Sequence, residues 1–115
     1  MDKTATKPAF DFVFLKDDSK LHFVSLDDIL FVKGEGNYSI VHTTFKKFVM
    51  RSSLKKFLES LPESRFMQIH RSVLVQIHQI STIDLNENVV SLQNKVSLPV
   101  SRRFRSELLT VLPVL

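Results

Sequence analysis

The 115 residues contain no cysteine, which excludes disulfides, thiolate metal ligands and cysteine nucleophiles together. That lack fits a reducing compartment, and a cytoplasmic location is expected. Glycine is almost as scarce: Gly34 and Gly36 are the only two, and both stand in the stretch GEGN, residues 34–37. A loop that takes every glycine of the chain needs a left-handed φ or a close backbone approach. No run approaches the roughly 18 apolar residues of a membrane span, so no membrane partner is expected. The first nine residues, MDKTATKPA, lack the apolar stretch of a signal peptide. They read as a flexible N-terminal segment or the remnant of a linker, with residues 10–115 forming one domain.

The residue patterns of catalysis are also missing. Four histidines (22, 42, 70 and 78) form no i, i+2 or i, i+4 pair of the kind that holds zinc, and acids beside them are few. Asp17–Asp18 follows a strand-like run, as the acidic pair of a phosphoryl-accepting receiver domain does. Such a domain also needs a further acid, a late lysine and alternating helices, so these two read as turn acids, as do Asp27–Asp28. Ser72 lies two residues after His70 with no acid to orient a base, so no nucleophilic triad is expected. There is no GxGxxG and no Walker loop, and GEG is too short to cradle a nucleotide. The expectation is a protein without enzymatic activity, without a cofactor and without a metal.

What remains is an ordinary globular composition, 43% hydrophobic and 24% charged, on a chain long enough to bury roughly 65% of its unfolded surface. Net charge is +4. Most acids lie before Arg65, whereas the segment 65–105 holds few and carries IHRS and SRRFR. That asymmetry is consistent with an anionic partner such as nucleic acid.

Strand patterns dominate. FDFVFL (10–15) and LHFVSL (21–26) flank the turn KDDSK and predict a hairpin with Phe10, Phe12 and Phe14 on one face. Most of the ten phenylalanines, sitting in apolar alternation, are expected in the core. ILFVK (29–33), YSIVHTT (38–44), FKKFVM (45–50), FMQI (66–69) and SVLVQI (72–77) follow as strands. STIDL (81–85), VVSLQ (89–93) and VSLPV (96–100), separated by NEN and NK, predict a hairpin or meander. Two helices are expected. One spans 52–61, with the stripe Leu54, Phe57, Leu58 and Leu61, a serine cap and Pro62 as its stop. The other spans about 102–112, capped by Ser101, with Phe104, Leu108, Val111 and Leu112 on one face.

Three polar clusters interrupt the apolar pattern at element boundaries: GEGNYS (34–39), IHRS (69–72) and VSRRFR (100–105). Arginine offers a forked donor to phosphate or guanine, asparagine can pair with adenine, and hydroxyls and amides hold phosphates. The last cluster is the most telling. Arg102, Arg103 and Arg105 crowd a helix start, where the partial positive charge disfavours each cation by roughly 0.3–1 kcal/mol. That placement becomes sensible if an anion arrives there, since free amides and arginines then face it together.

The order DDILFVKGEGNYSIVHT, SLKKFLESLP, FMQIHRSVLVQ, ISTID and VSLPVSRRF resembles the LytTR DNA-binding domain, the output domain of many bacterial response regulators in two-component systems. The resemblance covers roughly residues 10–112. It implies a mainly β, elongated fold of small antiparallel sheets with two short helices, which reads the major groove of double-stranded DNA through loops. It places base contacts at Asn37, Arg71 and Arg102, and backbone contacts at Tyr38, Ser39, His70, Ser72, Ser101 and Arg103. It further implies paired imperfect direct repeats at promoters, with a second copy of the domain on the same DNA. The companion receiver domain and its sensor kinase are absent from these residues. Two positions depart from the family's usual pattern. Val73 stands where an aromatic is common and suggests altered core packing; Gln76 stands where asparagine usually follows the strand.

Two other functions are compatible with a small strand-rich chain. A protein-interaction or regulatory module would pair an exposed edge strand with another chain. A single-strand binder would want aromatics among its basic residues, for which Tyr38 is a candidate.

Overall fold

The computed structural model describes residues 10–115, and the expectation for residues 1–9 lies outside them. Three antiparallel sheets follow one another along the chain. The first is the ribbon β1 (Phe12–Asp17) and β2 (Lys20–Ser25), turned by Asp18 at φ 60°. The second has five strands in the order β5-β4-β3-β7-β6: β3 (Ile29–Glu35), β4 (Tyr38–Thr43), β5 (Lys47–Met50), β6 (Phe66–His70) and β7 (Val73–Gln76). The third is the meander β8 (Ile80–Asp84), β9 (Val89–Leu92) and β10 (Ser97–Pro99), as the residue pattern predicts. Helix α1 (Leu54–Ser60) joins β5 to β6, and α2 (Arg102–Val111) follows β10. The principal extents are 44 × 35 × 25 Å.

The five-stranded sheet separates two apolar clusters. On one side Val32, Val41, Phe48 and Leu74 pack with Leu54 and Phe57 of α1 and with Leu15 and Val24 of the ribbon. On the other, Phe31, Val73 and Val75 pack with Val90, Leu98 and Leu108 of the meander and α2. Val73 thus fills a core position on this side of the sheet.

Several boundaries shift for local reasons. Strand β5 begins only at Lys47, because the Thr43 hydroxyl accepts from the amides of Phe45 and Lys46 and donates to the Lys46 carbonyl, closing a turn. Helix α1 starts at Leu54 with Ser53 in the N-cap conformation, but the Ser53 side chain makes no capping bond. Strand β3 runs on through Glu35, which leaves Gly36 and Asn37 as a two-residue hairpin turn.

Two expectations about burial are corrected. Phe10, Phe14 and Phe23 are exposed on the ribbon, where they and Phe12 pack ring against ring with centroids 4.8–6.0 Å apart; Phe45 is exposed as well. The alternate residues Val13, Leu15 and Val24 turn to the core instead, since alternation says which residues share a face but not which face is covered. In α2, Phe104 and Leu108 are buried, whereas Val111 is 62% exposed because, among the described residues, no element covers the groove it lines with Met67 and Glu107.

A buried amide joins the sheets. Gln76, 1% exposed, donates through Nε2 to the carbonyls of Leu26 (2.9 Å) and Ile29 (2.6 Å). Its Oε1 accepts from Arg65, which also pairs with Asp27. Both amide hydrogens and the oxygen are therefore satisfied, and the 3₁₀ turn Leu26–Asp28 that links β2 to β3 is tied to β7. Gln76→Leu removes the side-chain donor from the Ile29 carbonyl and one of the two donors to the Leu26 carbonyl, which keeps the Ile29 amide. It is expected to destabilise the protein by about 2–3 kcal/mol, seen as a lowered urea midpoint with unchanged slope. An unchanged midpoint would remove this amide from the account of stability.

Candidate nucleic-acid interface

The three polar clusters meet along one edge of the molecule, and the turn between β6 and β7 lies at their centre. Its backbone reaches both neighbours: the Gly34 amide donates to the Ser72 carbonyl (2.8 Å), and the Ser101 amide donates to the Ile69 carbonyl (2.9 Å). The first bond joins it to the end of β3 and the second to the start of α2. Residues distant in sequence are thereby held side by side.

The turn is also fixed from within. The Ser72 amide donates to Nδ1 of His70 (3.1 Å), and the Ser72 hydroxyl lies 3.0 Å from the same nitrogen. An amide can only donate, so Nδ1 presents its lone pair and the neutral ring carries its proton on Nε2. Gln68 Nε2 donates to the His70 carbonyl (3.1 Å), next to a break in the β6–β7 register. Bulges of this kind re-aim side chains at functional edges. Arg71, at the tip, is exposed and makes no side-chain hydrogen bond or ion pair among the described residues.

Each glycine of GEGN has its own reason. Gly36 sits at φ 66°, in the left-handed region. A Cβ on Gly34 would stand 3.1 Å from Cβ of Leu54, so that position needs the close approach instead. Gly34, Gly36, Leu54, Arg71 and Ser72 line a depression of about 310 Å³ between the two turns. Asn37 is exposed beside it. Tyr38 is 44% exposed, and its hydroxyl accepts from Arg51 (3.2 Å), whose guanidinium lies 5.8 Å from the ring centroid. Arg51 was not marked by any pattern in the sequence; only the pairing of β4 with β5 brings it here. Ser39 differs from the expectation of a phosphate contact. It is fully buried, and its hydroxyl donates to the Ser52 carbonyl (2.6 Å), because alternation along β4 turns it to the α1 side.

At the start of α2, Ser101 has the N-cap conformation, and its hydroxyl accepts a long bond from the Phe104 amide (3.5 Å). The amides of Arg102 and Arg103 are left unpaired within the helix, as first-turn amides are. Phe104 is anchored inward. Both arginines are exposed: Arg103 lies over the Phe104 ring at 5.1 Å, and Arg102 has no partner among the described residues. Arg105 is different. It donates to the Leu85 carbonyl (3.1 Å) and Asn88 Oδ1 (2.9 Å), and so clamps the β8–β9 turn to the helix.

Further along β4, His42 stacks on Phe31 with centroids 4.0 Å apart. Burial lowers its pKa below the ordinary histidine range, and the charges of Lys47 and Lys33 lower it further. Among the described residues, no group of three or more histidines and acids is placed to hold a metal, and no helix is long and apolar enough to cross a membrane.

This arrangement offers exposed guanidiniums, an amide side chain, a histidine N–H and free helix amides on one edge, a donor set suited to phosphates and base edges. The fold is that of a solved LytTr DNA-binding domain from a methyl-accepting/DNA response regulator of Bacillus cereus. The two superpose with a TM-score of 0.79 over 92% of this chain and 100% of that one, at 23% identity. An uncharacterized response regulatory protein of Vibrio cholerae is 32% identical over 89 residues, covering 72% of this chain and 34% of its own length. The transcriptional regulatory protein YpdB of Escherichia coli K12 is 27% identical over 96 residues, 80% of this chain and 39% of that one. The chain thus spans about a third of the length of these relatives. The sequence model described as the LytTr DNA-binding domain matches residues 19–112, nearly the whole of the described structure, and the chain belongs to that family.

Proposed function

We propose that the chain binds double-stranded DNA in a sequence-specific way and thereby regulates transcription, without catalysing a reaction. The observation that carries this reading is the pair of backbone hydrogen bonds that sets three donor-rich segments side by side, with Arg71 and Arg102 unpaired among the described residues. Membership of the family supports it, as do relatives named as regulators. In this reading Asn37, Arg71 and Arg102 meet base edges in the major groove. Tyr38, His70, Ser72, Ser101 and Arg103 meet the backbone, and the free amides of α2 add to the phosphate site. Ser39 acts from beneath by holding the start of β4. Two copies on imperfect direct repeats of a promoter is the expected stoichiometry, and a cytoplasmic location follows from such a role.

A matched site is first selected from a random duplex pool, and variants are then titrated against it and a scrambled duplex across a salt series. Arg102→Ala is expected to lose about 1–3 kcal/mol on the matched site and to relax preference at one base position. Equal losses on both duplexes would remove Arg102 from base reading. Arg103→Ala is expected to weaken both duplexes alike and to flatten the dependence of log affinity on log salt by about one unit. Wild-type affinity that barely changes with salt would overturn the electrostatic account.

The edge strand β5, with Val49 66% exposed, is the observation that favours a protein-interaction module instead. Failure of the wild type to shift any duplex at low salt would select that alternative.

A further inference from the structure

The face of the five-stranded sheet that looks toward α2 is only half covered. Phe31, Val73 and Val75 lie under the meander and α2, whereas β4 and β5 present Tyr38, Ile40, His42, Lys47 and Val49 there, all exposed or half-buried. Cross-strand register sets this open half out in rows. Glu35 pairs with Tyr38, Lys33 with Ile40 and Ile40 with Val49, Phe31 with His42 and His42 with Lys47. Arg51, just past β5, extends the first row through its bond to Tyr38. Each row therefore carries one cation, Arg51, Lys33 or Lys47, and successive rows lie about 6.7 Å apart along the strands.

Lys33 also pairs across to Val73, the residue after Ser72, so its row begins at the border of the β6–β7 turn. Lys33 and Lys47 are exposed and have no ion-pair partner among the described residues. Glu35, the one carboxylate on this face, pairs with neither. His42 lies near both lysines: burial, and then the charges of Lys47 and Lys33, hold its pKa below the ordinary histidine range. A face with cations in regular rows, a carboxylate that pairs with neither lysine, and direct continuity with the donor-rich turns suits a polyanion of regular charge spacing.

We propose that Lys33 and Lys47 form a phosphate track on the β3–β4–β5 face, which holds the backbone of the same duplex beyond the bases read by the turns. The track rests on the DNA-binding function proposed above. It contributes affinity and not sequence preference, because ammonium groups on phosphates carry no base information.

The test compares Lys33→Gln, Lys47→Gln and their double variant with Lys55→Gln/Lys56→Gln. The last two lysines are exposed on α1, against the opposite face of the sheet. Binding is titrated on the selected and the scrambled duplex across a salt series. Each track variant is expected to weaken both duplexes alike by roughly two- to fivefold and to flatten the log–log salt slope by about one unit, the double variant by about two. The α1 pair should change neither, and Lys33→Arg and Lys47→Arg should keep wild-type behaviour. Track variants that match the α1 pair, or arginine variants as weak as the glutamine ones, overturn the track while wild-type binding keeps the DNA-binding function intact. A wild type that binds neither duplex overturns both.

Discussion

The candidate interface depends on how one short turn satisfies its backbone. Peptide groups between β6 and β7 lie at the end of the sheet ladder and must find partners elsewhere. Around this turn the Ser72 carbonyl takes the Gly34 amide near the end of β3, and the Ile69 carbonyl, at the register break in β6, takes the Ser101 amide at the start of α2. Because a backbone bond leaves the side chains of its residues free, this linkage gathers Asn37, Arg71 and Arg102 on one edge without using any of them. The inner bonds of the turn, from Gln68 and to His70, keep its tip in one shape. A preorganised tip of this kind spends little conformational entropy when a ligand arrives.

The arginines of α2 illustrate how one motif divides by environment. All three oppose the helix dipole by their position in the first turn. Arg105 offsets that by holding the β8–β9 turn through two hydrogen bonds. Arg102 and Arg103 have no such hydrogen-bond acceptors among the described residues and are exposed beside two free amides. The unfavourable electrostatics of the unliganded helix thus become favourable when a phosphate is present, which couples the fold's local cost to the proposed function.

The rest of the surface follows from how small sheets cover one another. A two-stranded ribbon can bury only one face, so its aromatic side stays outside and packs against itself, ring on ring. The five-stranded sheet is wide enough to receive α1 on one face. Its other face receives the meander and α2 over only part of its width. The open part carries lysines and β-branched residues.

Much of this was legible in the sequence. The strands as elements along the chain, the meander, both helices and the Ser101 cap follow from alternation, helical spacing and stop residues, because these are local rules. The glycine pair announced a turn of special geometry, and SRRFR pointed to the anion site proposed above, because a backbone conformation or a charge that folding disfavours needs a reason nearby. Tertiary structure decided what depends on which surface is covered. It turned Val13 and Leu15 inward and the ribbon's phenylalanines outward, buried Ser39 under α1, and left Val111 uncovered. It also set Arg51 beside Tyr38, and Lys33 and Lys47 on either side of His42. Alternation names the two faces of a strand but is symmetric between them; only the packing of another element breaks that symmetry.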